Sequence, residues 1–595
     1  MTPLIINNGK TGRLALIKIV AVVILLLISS NEIFTQSILQ LKIKGNRSFQ
    51  KSDYESWLTS PELNLKSSSL KDSVKNRIST RLIENGYFFS NINIDTLSFN
   101  DDSTKITISL LVNEGKPVYL SSISLETNLY EDSAKVYSKL QHLIGEIFYP
   151  KEFNYTLNTI IEKYCEQGFP FANFKLNNVS FIDSSNIKLY LQFNRGVTAV
   201  IDTIVVEGNT KTKRDVIVRN SRIKKGDKYS ESKIAQVTKL LKKLDFFKAV
   251  DKPKYFFDSE KRGTLILKVK EKSTNYFDGI IGYIPKTEKR NGYFTGSAQV
   301  DLRNLFGTER AFGFKWSKFN INSQYFEIYY LEPWIFGLPV NLYFEVNQKT
   351  QDTTYIKRKY SSKINYLATE TLTASLIYSY AETIPSSDTN KFTVFHSSFS
   401  NSGLEFLYDT RDDYFVPTKG FFINLSLIYS RKKILGPAKF ITGNNNLTEN
   451  YFKVESCAGI FISFSQKMVA AITANLNEIS GRYLEVSDLY KFGGAKSVRG
   501  YRSEQFTGDK IAWSNIEYRF LFSKDSYGFL FFDTGYYYNQ IIKAQNLPDY
   551  KQLIYGYGVG INFPTGLGNM SVSFALGKGD SFSEGKLNFG IVNRF

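Results

Sequence analysis

The stretch IAWSNIEYRFLFSKDSYGFLFFDTGYY, residues 511–537, decides the fold of this chain. Its first half alternates. Ala512, Ser514, Ile516, Tyr518 and Phe520 fall on one face, and Asn515, Glu517 and Arg519 on the other. After the polar turn Ser523-Lys524-Asp525 the alternation resumes, with Phe532, Thr534 and Tyr536 set against Asp533 and Gly535. Two strands whose apolar face looks outward and whose polar face looks inward predict a membrane barrel, since a soluble sandwich would bury its apolar face. From Asn275 onward the chain reads as roughly sixteen such segments, among them Arg310 to Phe319, Gln324 to Leu331, Thr371 to Tyr380 and Gly585 to Phe595. The 595 residues include 38 Tyr and 48 Phe, which suits aromatic girdles, and a mean hydropathy of −0.23 leaves no room for a bundle of apolar helices.

The connections orient the barrel. Those after even-numbered segments are short: Asn304-Leu305-Phe306-Gly307, Glu332-Pro333-Trp334, Ser465-Gln466, Ser523-Lys524-Asp525 and Pro564-Thr565-Gly566. Several after odd-numbered segments are long: Lys433 to Thr448, Gly481 to Lys510 and Asn539 to Gln552. Short turns belong on the periplasmic side and long loops outside. An even strand count then returns both barrel ends to the periplasm.

The loop before residue 511 carries Gly493-Gly494-Ala495-Lys496-Ser497-Val498-Arg499-Gly500-Tyr501. A Val-Arg-Gly-Tyr run at this place resembles the lumenal loop of the BamA/TamA family, outer-membrane barrels with periplasmic POTRA modules. The resemblance extends to Asn304-Leu305-Phe306-Gly307-Thr308, Glu332-Pro333-Trp334, Asp409-Thr410-Arg411 and Pro417-Thr418-Lys419-Gly420, in the family's order. It implies that the loop folds into the lumen and that Arg499 docks on the wall. A buried guanidinium needs a carboxylate, and the inward carboxylates next along the wall are Glu517 and Asp533. Asp533 lies in the family's Phe-Xaa-Asp-Xaa-Gly motif, here Phe531, Asp533 and Gly535. Gly500 allows a tight bend, and Tyr501 can pack within the lumen.

Residues from about 38 to 273 repeat a pattern of strand, helices and strand. The helices carry apolar faces at Val74, Ile78 and Leu82; at Leu157, Ile160, Ile161 and Tyr164; and at Ile234, Val237, Leu241 and Leu244. The first two end at Gly86-Tyr87 and Gly168-Phe169, glycines suited to a left-handed cap; the third ends at Asp245-Phe246-Phe247. Gly45-Asn46 and Gly208-Asn209 are turn signals that close the opening strands of the first and third units. The second unit, opening at Ser121 to Glu126, lacks that pair. These units resemble POTRA domains. The domain reading is therefore a signal peptide over 1–36, POTRA-like modules over 37–115, 116–197 and 198–273, and a barrel over 274–595.

The leader rests on a short apolar run, Ile19 to Ile28, behind Lys10, Arg13 and Lys18. Cys165 and Cys457 fall in different modules, so no disulfide framework is expected. His142 and His396 are far apart, and no metal-ligand spacing surrounds either, so no metal or cofactor is expected. There is no Gly-Xaa-Ser-Xaa-Gly elbow and little material for a triad, which argues against an enzyme. The net charge is +19, and residues 198–273 alone hold a net of +10, a surface for anionic head groups or acidic clients. Nucleic acid is not an expected partner of an exported chain.

The resemblance implies an outer-membrane factor that captures unfolded client polypeptides at exposed sheet edges of its modules and inserts or exports them, in contact with outer-membrane lipid and with periplasmic or inner-membrane assembly partners. The seam between first and last strands bears Gly279, Gly282 and Gly590, and glycine weakens a ladder. The last strand presents Leu587, Phe589, Ile591 and Phe595 on one face; its terminal aromatic resembles the signal read by barrel-assembly machinery. The alternatives are a passive or substrate-specific channel and a two-partner-secretion-type transporter. Members of the latter usually carry two modules and a plug helix.

Overall fold

A computed structural model of the chain describes residues 38–58, 70–99, 105–244, 246–284, 292–318, 322–351, 354–385, 392–414, 416–441, 447–482, 484–544, 550–565 and 568–592. The expected leader, Phe595 and Pro285 at the end of the first barrel strand lie outside them. The chain divides into two compact units. One is built from residues up to 203 with 225–234 and 256–264, the other from 204–224, 235–255 and 265–595. The third module contributes to both.

In the first unit, the first module runs strand Ile38–Lys44, helices Lys51–Leu58 and Leu70–Glu84, then strands Asn91–Phe99 and Lys105–Asn113. The last strand is central, parallel to the first and antiparallel to the second. Helix Leu70–Glu84 buries Leu70, Val74, Ile78 and Leu82 against this sheet. The second module repeats the order with strand Tyr119–Thr127, helices Tyr130–Leu140 and Pro150–Glu166, and strands Asn173–Asp183 and Asn186–Asn194. The arrangement leaves Asn91–Phe99 and Asn173–Asp183 as edge strands.

The glycine–aromatic turns have a role that the helix-cap argument does not contain. Gly86 (φ +89°) and Gly168 (φ +98°) do close their helices. Their carbonyls also accept the N–H groups of Val118 and Ala199, at 2.8–2.9 Å. Val118 and Ala199 accept in turn from Phe148 and Tyr229. Each turn thus splices one module to the next, and Phe88 stacks on Phe148 across the first joint, ring centres 5.8 Å apart. The third module is followed by the barrel, and its helix ends without the glycine.

The Gly-Asn signal also has a structural cause. Gly45 (φ +89°) approaches Val112 so closely that a Cβ would fall 2.3 Å from its carbonyl oxygen. The turn after it is held by Glu114, which accepts from the N–H groups of Arg47, Ser48 and Phe49 and from the Tyr54 hydroxyl. The second module has Arg195 where the first has Glu114, each between an Asn and a Gly. Arg195 pairs with the buried Asp132 instead, at 3.6 Å, which accounts for the missing opening signal.

The second unit holds the barrel: β1 Tyr276–Ile284, β2 Tyr293–Leu305, β3 Arg310–Lys318, β4 Gln324–Glu332, β5 Val340–Gln351, β6 Tyr355–Leu367, β7 Leu372–Pro385, β8 His396–Asp409, β9 Gly420–Gly436, β10 Thr448–Ser463, β11 Met468–Ser480, β12 Lys510–Leu521, β13 Tyr527–Tyr538, β14 Lys551–Thr565, β15 Gly568–Gly577 and β16 Lys586–Val592. The sixteen strands follow one another in sequence order, each antiparallel to the next. Among the described residues β1 and β16 end the series, each with one hydrogen-bonded neighbour. Several boundaries differ from the sequence reading: β7 runs on to Pro385 past Tyr380, β9 runs to Gly436 into the expected loop, and Asn304, Leu305 and Glu332 end strands. Pro564 and Thr565 pair with Asn569 and Gly568 and belong to β14 rather than to a turn, because a proline at a strand end forgoes no ladder bond that the sheet needs. Gly585 closes a short 3-10 turn capped by Ser581 and Glu584 instead of starting β16.

The turn between β2 and β3 explains the Asn-Leu-Phe-Gly-Thr motif. Asn304, Phe306, Gly307 and Glu309 all have positive φ. The turn meets the third module within this unit: Lys213 N donates to Gly307 O at 2.9 Å, Asn304 Nδ2 to Thr212 Oγ1 at 2.9 Å, and Arg219 Nη2 to Glu309 Oε2 at 2.9 Å. Arg222, at the left-handed end of helix Arg214–Ser221, donates to the carbonyls of Leu367 and Thr369 in the turn between β6 and β7.

Candidate functional site

The loop joining β11 to β12 enters the barrel. It carries a small hairpin of its own, Tyr490–Phe492 paired with Phe506–Gly508, whose rings meet Trp513 and Tyr537 on β12 and β13. This hairpin presents the tip, residues 493–503. Within the tip, Ser497 Oγ accepts from Gly493 N, and Gly494 N donates to Val498 O. Asn515 of β12 donates to the Ser497 carbonyl at 2.6 Å. Val498 is fully buried among Phe492, Ile511, Tyr537 and Ile554.

Arg499 then extends along the wall. Its Nε and Nη2 donate to the two oxygens of Asp533, each at 2.7 Å, and its backbone N–H donates to the same carboxylate at 2.9 Å. Nη1 donates to Glu517 at 2.8 Å. The second oxygen of Glu517 takes Arg519 at 2.8–2.9 Å, so the charges alternate along a chain of four side chains. The fork onto Asp533 is the geometry that guanidinium and carboxylate share and that an ammonium cannot make. The guanidinium lies on Phe531, 3.7 Å from the ring centre, and a desolvated cation on an aromatic face is stabilised further.

Two glycines admit this arrangement. Gly500 (φ +94°) abuts the backbone of β15, where a Cβ would fall 2.6 Å from Gly577 N. Gly556 on β14 leaves room for the Arg499 carbonyl. Tyr501 donates its hydroxyl to Tyr555 O at 2.9 Å and accepts from Lys578 N.

The structure thus brings together Val498, Arg499, Gly500, Tyr501, Glu517 and Asp533. Sequence reasoning missed Arg519 as the second partner of Glu517 and missed the aromatic bed. Tyr527, Phe529 and Phe531 share the inward face with Asp533 and are buried. The expectation of a polar interior is corrected there, because the wall packs against protein instead of water. The period-2 alternation carried that signal, since the three aromatics and Asp533 are two residues apart.

The remaining candidates lie elsewhere. Leu587 and Phe589 on β16 are both exposed, at 63% and 66%, as a lipid-facing position requires. Of Ile591 and Gly590 only the backbone pairing with Met570 and Ser571 is described. Gly279 and Gly282 of β1 pair with Ala298 and Thr295 on β2. A Cβ at Gly279 would meet nothing closer than 3.5 Å, so sterics do not demand that glycine.

Residues 304–595 match the Omp85 superfamily domain, and residues 199–272 match the surface antigen variable number repeat, POTRA. The outer membrane protein assembly factor BamA of Nitratidesulfovibrio vulgaris is 23% identical over 281 residues, covering 45% of this chain and 35% of that protein. BamA of Neisseria meningitidis serogroup B is 25% identical over 301 residues, covering 49% and 36%. The chain thus spans about a third of the length of these relatives. The crystal structure of BamA from Haemophilus ducreyi lacking POTRA domains 1–3 aligns with a TM-score of 0.48 at 18% identity, over 79% of this chain and 98% of that one.

Proposed function

The chain belongs to the Omp85 superfamily as a BamA/TamA-like outer-membrane protein with periplasmic POTRA modules, and from that premise we propose that it inserts or translocates client polypeptides at the outer membrane. No covalent step is involved. Unfolded outer-membrane or secreted chains pair with module edges such as Asn173–Asp183, an edge strand that exposes Leu176, Phe181 and Ile182. They are then templated where β1 and β16, each with one neighbour among the described residues, offer free edges. The observation that carries this reading is the docking of Arg499 on Asp533 and Glu517, which holds the loop inside the barrel where an open channel would need free passage.

Depletion of the protein, followed by profiling of outer-membrane composition, tests the function. Loss of several unrelated barrels or exported proteins supports it, and an unchanged profile with altered solute uptake favours a channel. The seam is tested by replacing Cys165 and Cys457 and then placing cysteine pairs across β1 and β16, near Ile280 and Ile591. Oxidation should arrest activity and reduction restore it.

A further inference from the structure

The lumenal loop has a second anchor, opposite in charge to the first. Its turn Glu485-Val486-Ser487-Asp488 closes on itself, Asp488 N donating to Glu485 O and Glu485 N to Asp488 Oδ2. The turn sits on Lys432 of β9, whose ammonium donates to Glu485 at 2.5 Å and to Asp488 at 2.7 Å. The lysine is 1% exposed and the Asp488 side chain wholly buried. The other oxygen of Glu485 accepts from Phe395 N. Lys357 of β6 donates to the Ser487 carbonyl at 3.1 Å.

The wall beneath this turn is a lysine patch. Lys357, Lys432 and Lys453, from β6, β9 and β10, place their ammonium groups 5.3–5.9 Å from the centre of one ring, Phe399 on β8. Three cations gathered around one aromatic ring repel one another, so anions near the patch stabilise it. Lys432 takes both loop carboxylates. The Lys453 ammonium donates to the Asn401 amide oxygen, at 3.5 Å, and opens onto a cavity of about 290 Å³ lined also by Lys359, Lys363, Glu345 and Glu455. The loop turn stands on this wall as a short acidic peptide would stand on a receptor.

We propose that the patch of Lys357, Lys432 and Lys453 around Phe399 is a recognition site for an acidic peptide segment, and that the Glu485–Asp488 turn occupies it as an internal ligand. A carboxylate-bearing segment of a polypeptide in the lumen takes the patch when the turn leaves. Exchange of one acidic segment for another keeps Lys432 paired throughout, whereas simple withdrawal of the loop would leave its buried ammonium without either carboxylate and Lys357 without the Ser487 carbonyl. The Arg499 anchor and this one use different strands, β12 and β13 against β6 and β9, and opposite charges, and they share no side chain. The identity of the displacing segment as a client rests on the reading of the protein as an insertion factor; the site itself does not.

The test uses the full chain in detergent micelles and a labelled peptide of loop sequence, residues 481–491. The Glu485→Gln/Asp488→Asn variant empties the internal ligand and leaves Arg499 and its partners untouched. The peptide should bind that variant about tenfold or more tighter than the unmodified chain, because the competing turn is gone. A peptide with the same two residues neutralised should not bind, and adding Lys432→Met and Lys453→Met to the variant should abolish binding. Heat-modifiable migration verifies a folded barrel in each case. Equal binding by the unmodified chain and the variant, or binding indifferent to the peptide's carboxylates or to the two lysines, overturns the proposal. Client insertion assayed on the same variants reports separately on the function: peptide binding without any effect on insertion leaves the site standing and detaches it from that role.

Discussion

The carbonyl oxygen of Arg499 fills the space that a side chain at Gly556 would need: a Cβ there would fall 1.9 Å from it. The loop tip and β14 are therefore in backbone contact, and the glycine is a condition of docking. Gly556→Ala should leave the strands paired, since alanine suits a ladder as well as glycine does, and should push the tip off the wall. The measurement is proteolysis of residues 493–503 in a barrel that still migrates as folded. A loop as protected as in the unmodified chain would show that β14 yields instead.

Arg499 and Glu517 form one link of a four-membered charge chain, because Glu517 also holds Arg519. Arg499→Ala leaves the Asp533 carboxylate, which is wholly buried, without its cation, a change that costs on the order of 3–5 kcal/mol. Arg499→Lys restores a charge but not the fork, so it should recover only part of the loop's protection and of insertion activity. Glu517→Gln should be worse than its single contact with Arg499 suggests, since it also takes the carboxylate from Arg519, whereas Arg499 keeps its fork on Asp533. A double-mutant cycle between positions 499 and 517 should return a coupling of roughly 1–3 kcal/mol, and a coupling near zero would remove Glu517 from the anchor.

Much of this was legible in advance for a physical reason. A strand with a period of two leaves its inward and outward residues visible in the sequence, so the inward faces of β12 and β13 could be read, and with them the wall on which Glu517 and Asp533 stand. Helix faces such as Val74, Ile78 and Leu82 are equally local. The second anchor was not legible: Lys432 lies 53 and 56 residues from Glu485 and Asp488, and no periodicity links a loop carboxylate to a lysine on another strand. Nor does a turn motif announce that it holds a neighbouring module, as the turn at 304–309 does, or that Pro564 continues a strand.

The third module has a carboxylate whose titration should be visible. Glu271 ends its last strand and accepts from the N–H groups of Thr210, Lys211 and Thr212 and from the Thr210 hydroxyl. Burial alone would raise its pKa, but these hydrogen bonds outweigh it and hold the group down at about 2, against an ordinary 4.5. A carboxylate depressed in the folded state stabilises fully above the ordinary value and loses that contribution as pH falls toward the folded one. Hydrogen exchange at residues 210–212, corrected for intrinsic rates, should therefore keep its protection at pH 6 and lose it progressively between about pH 4.5 and pH 2. Glu271→Gln should lower protection at pH 6 and flatten the dependence. A profile unchanged by that substitution would place the acid sensitivity elsewhere.

Gly307 couples the same module to the barrel. Its φ is +69°, and a Cβ would fall 1.9 Å from Lys211 O, next to the hydrogen bond between Lys213 N and Gly307 O. The neighbouring contacts, Asn304 with Thr212 and Arg219 with Glu309, depend on that approach. Gly307→Val adds backbone strain as well as a collision, because a β-branched residue is disfavoured at positive φ. The turn should then release helix Arg214–Ser221 while β2 and β3 remain paired, since their ladder ends at Leu305 and Arg310. A cysteine pair at Thr212 and Asn304 reports the state: it should oxidise readily in the otherwise unmodified chain and slowly in the Gly307→Val background. If insertion requires a module held against this turn, that variant should lose activity and disulfide formation together. Recovery of activity on forcing the disulfide would assign the defect to docking, whereas a folded, uncrosslinked variant with full activity would show that the third module works without it.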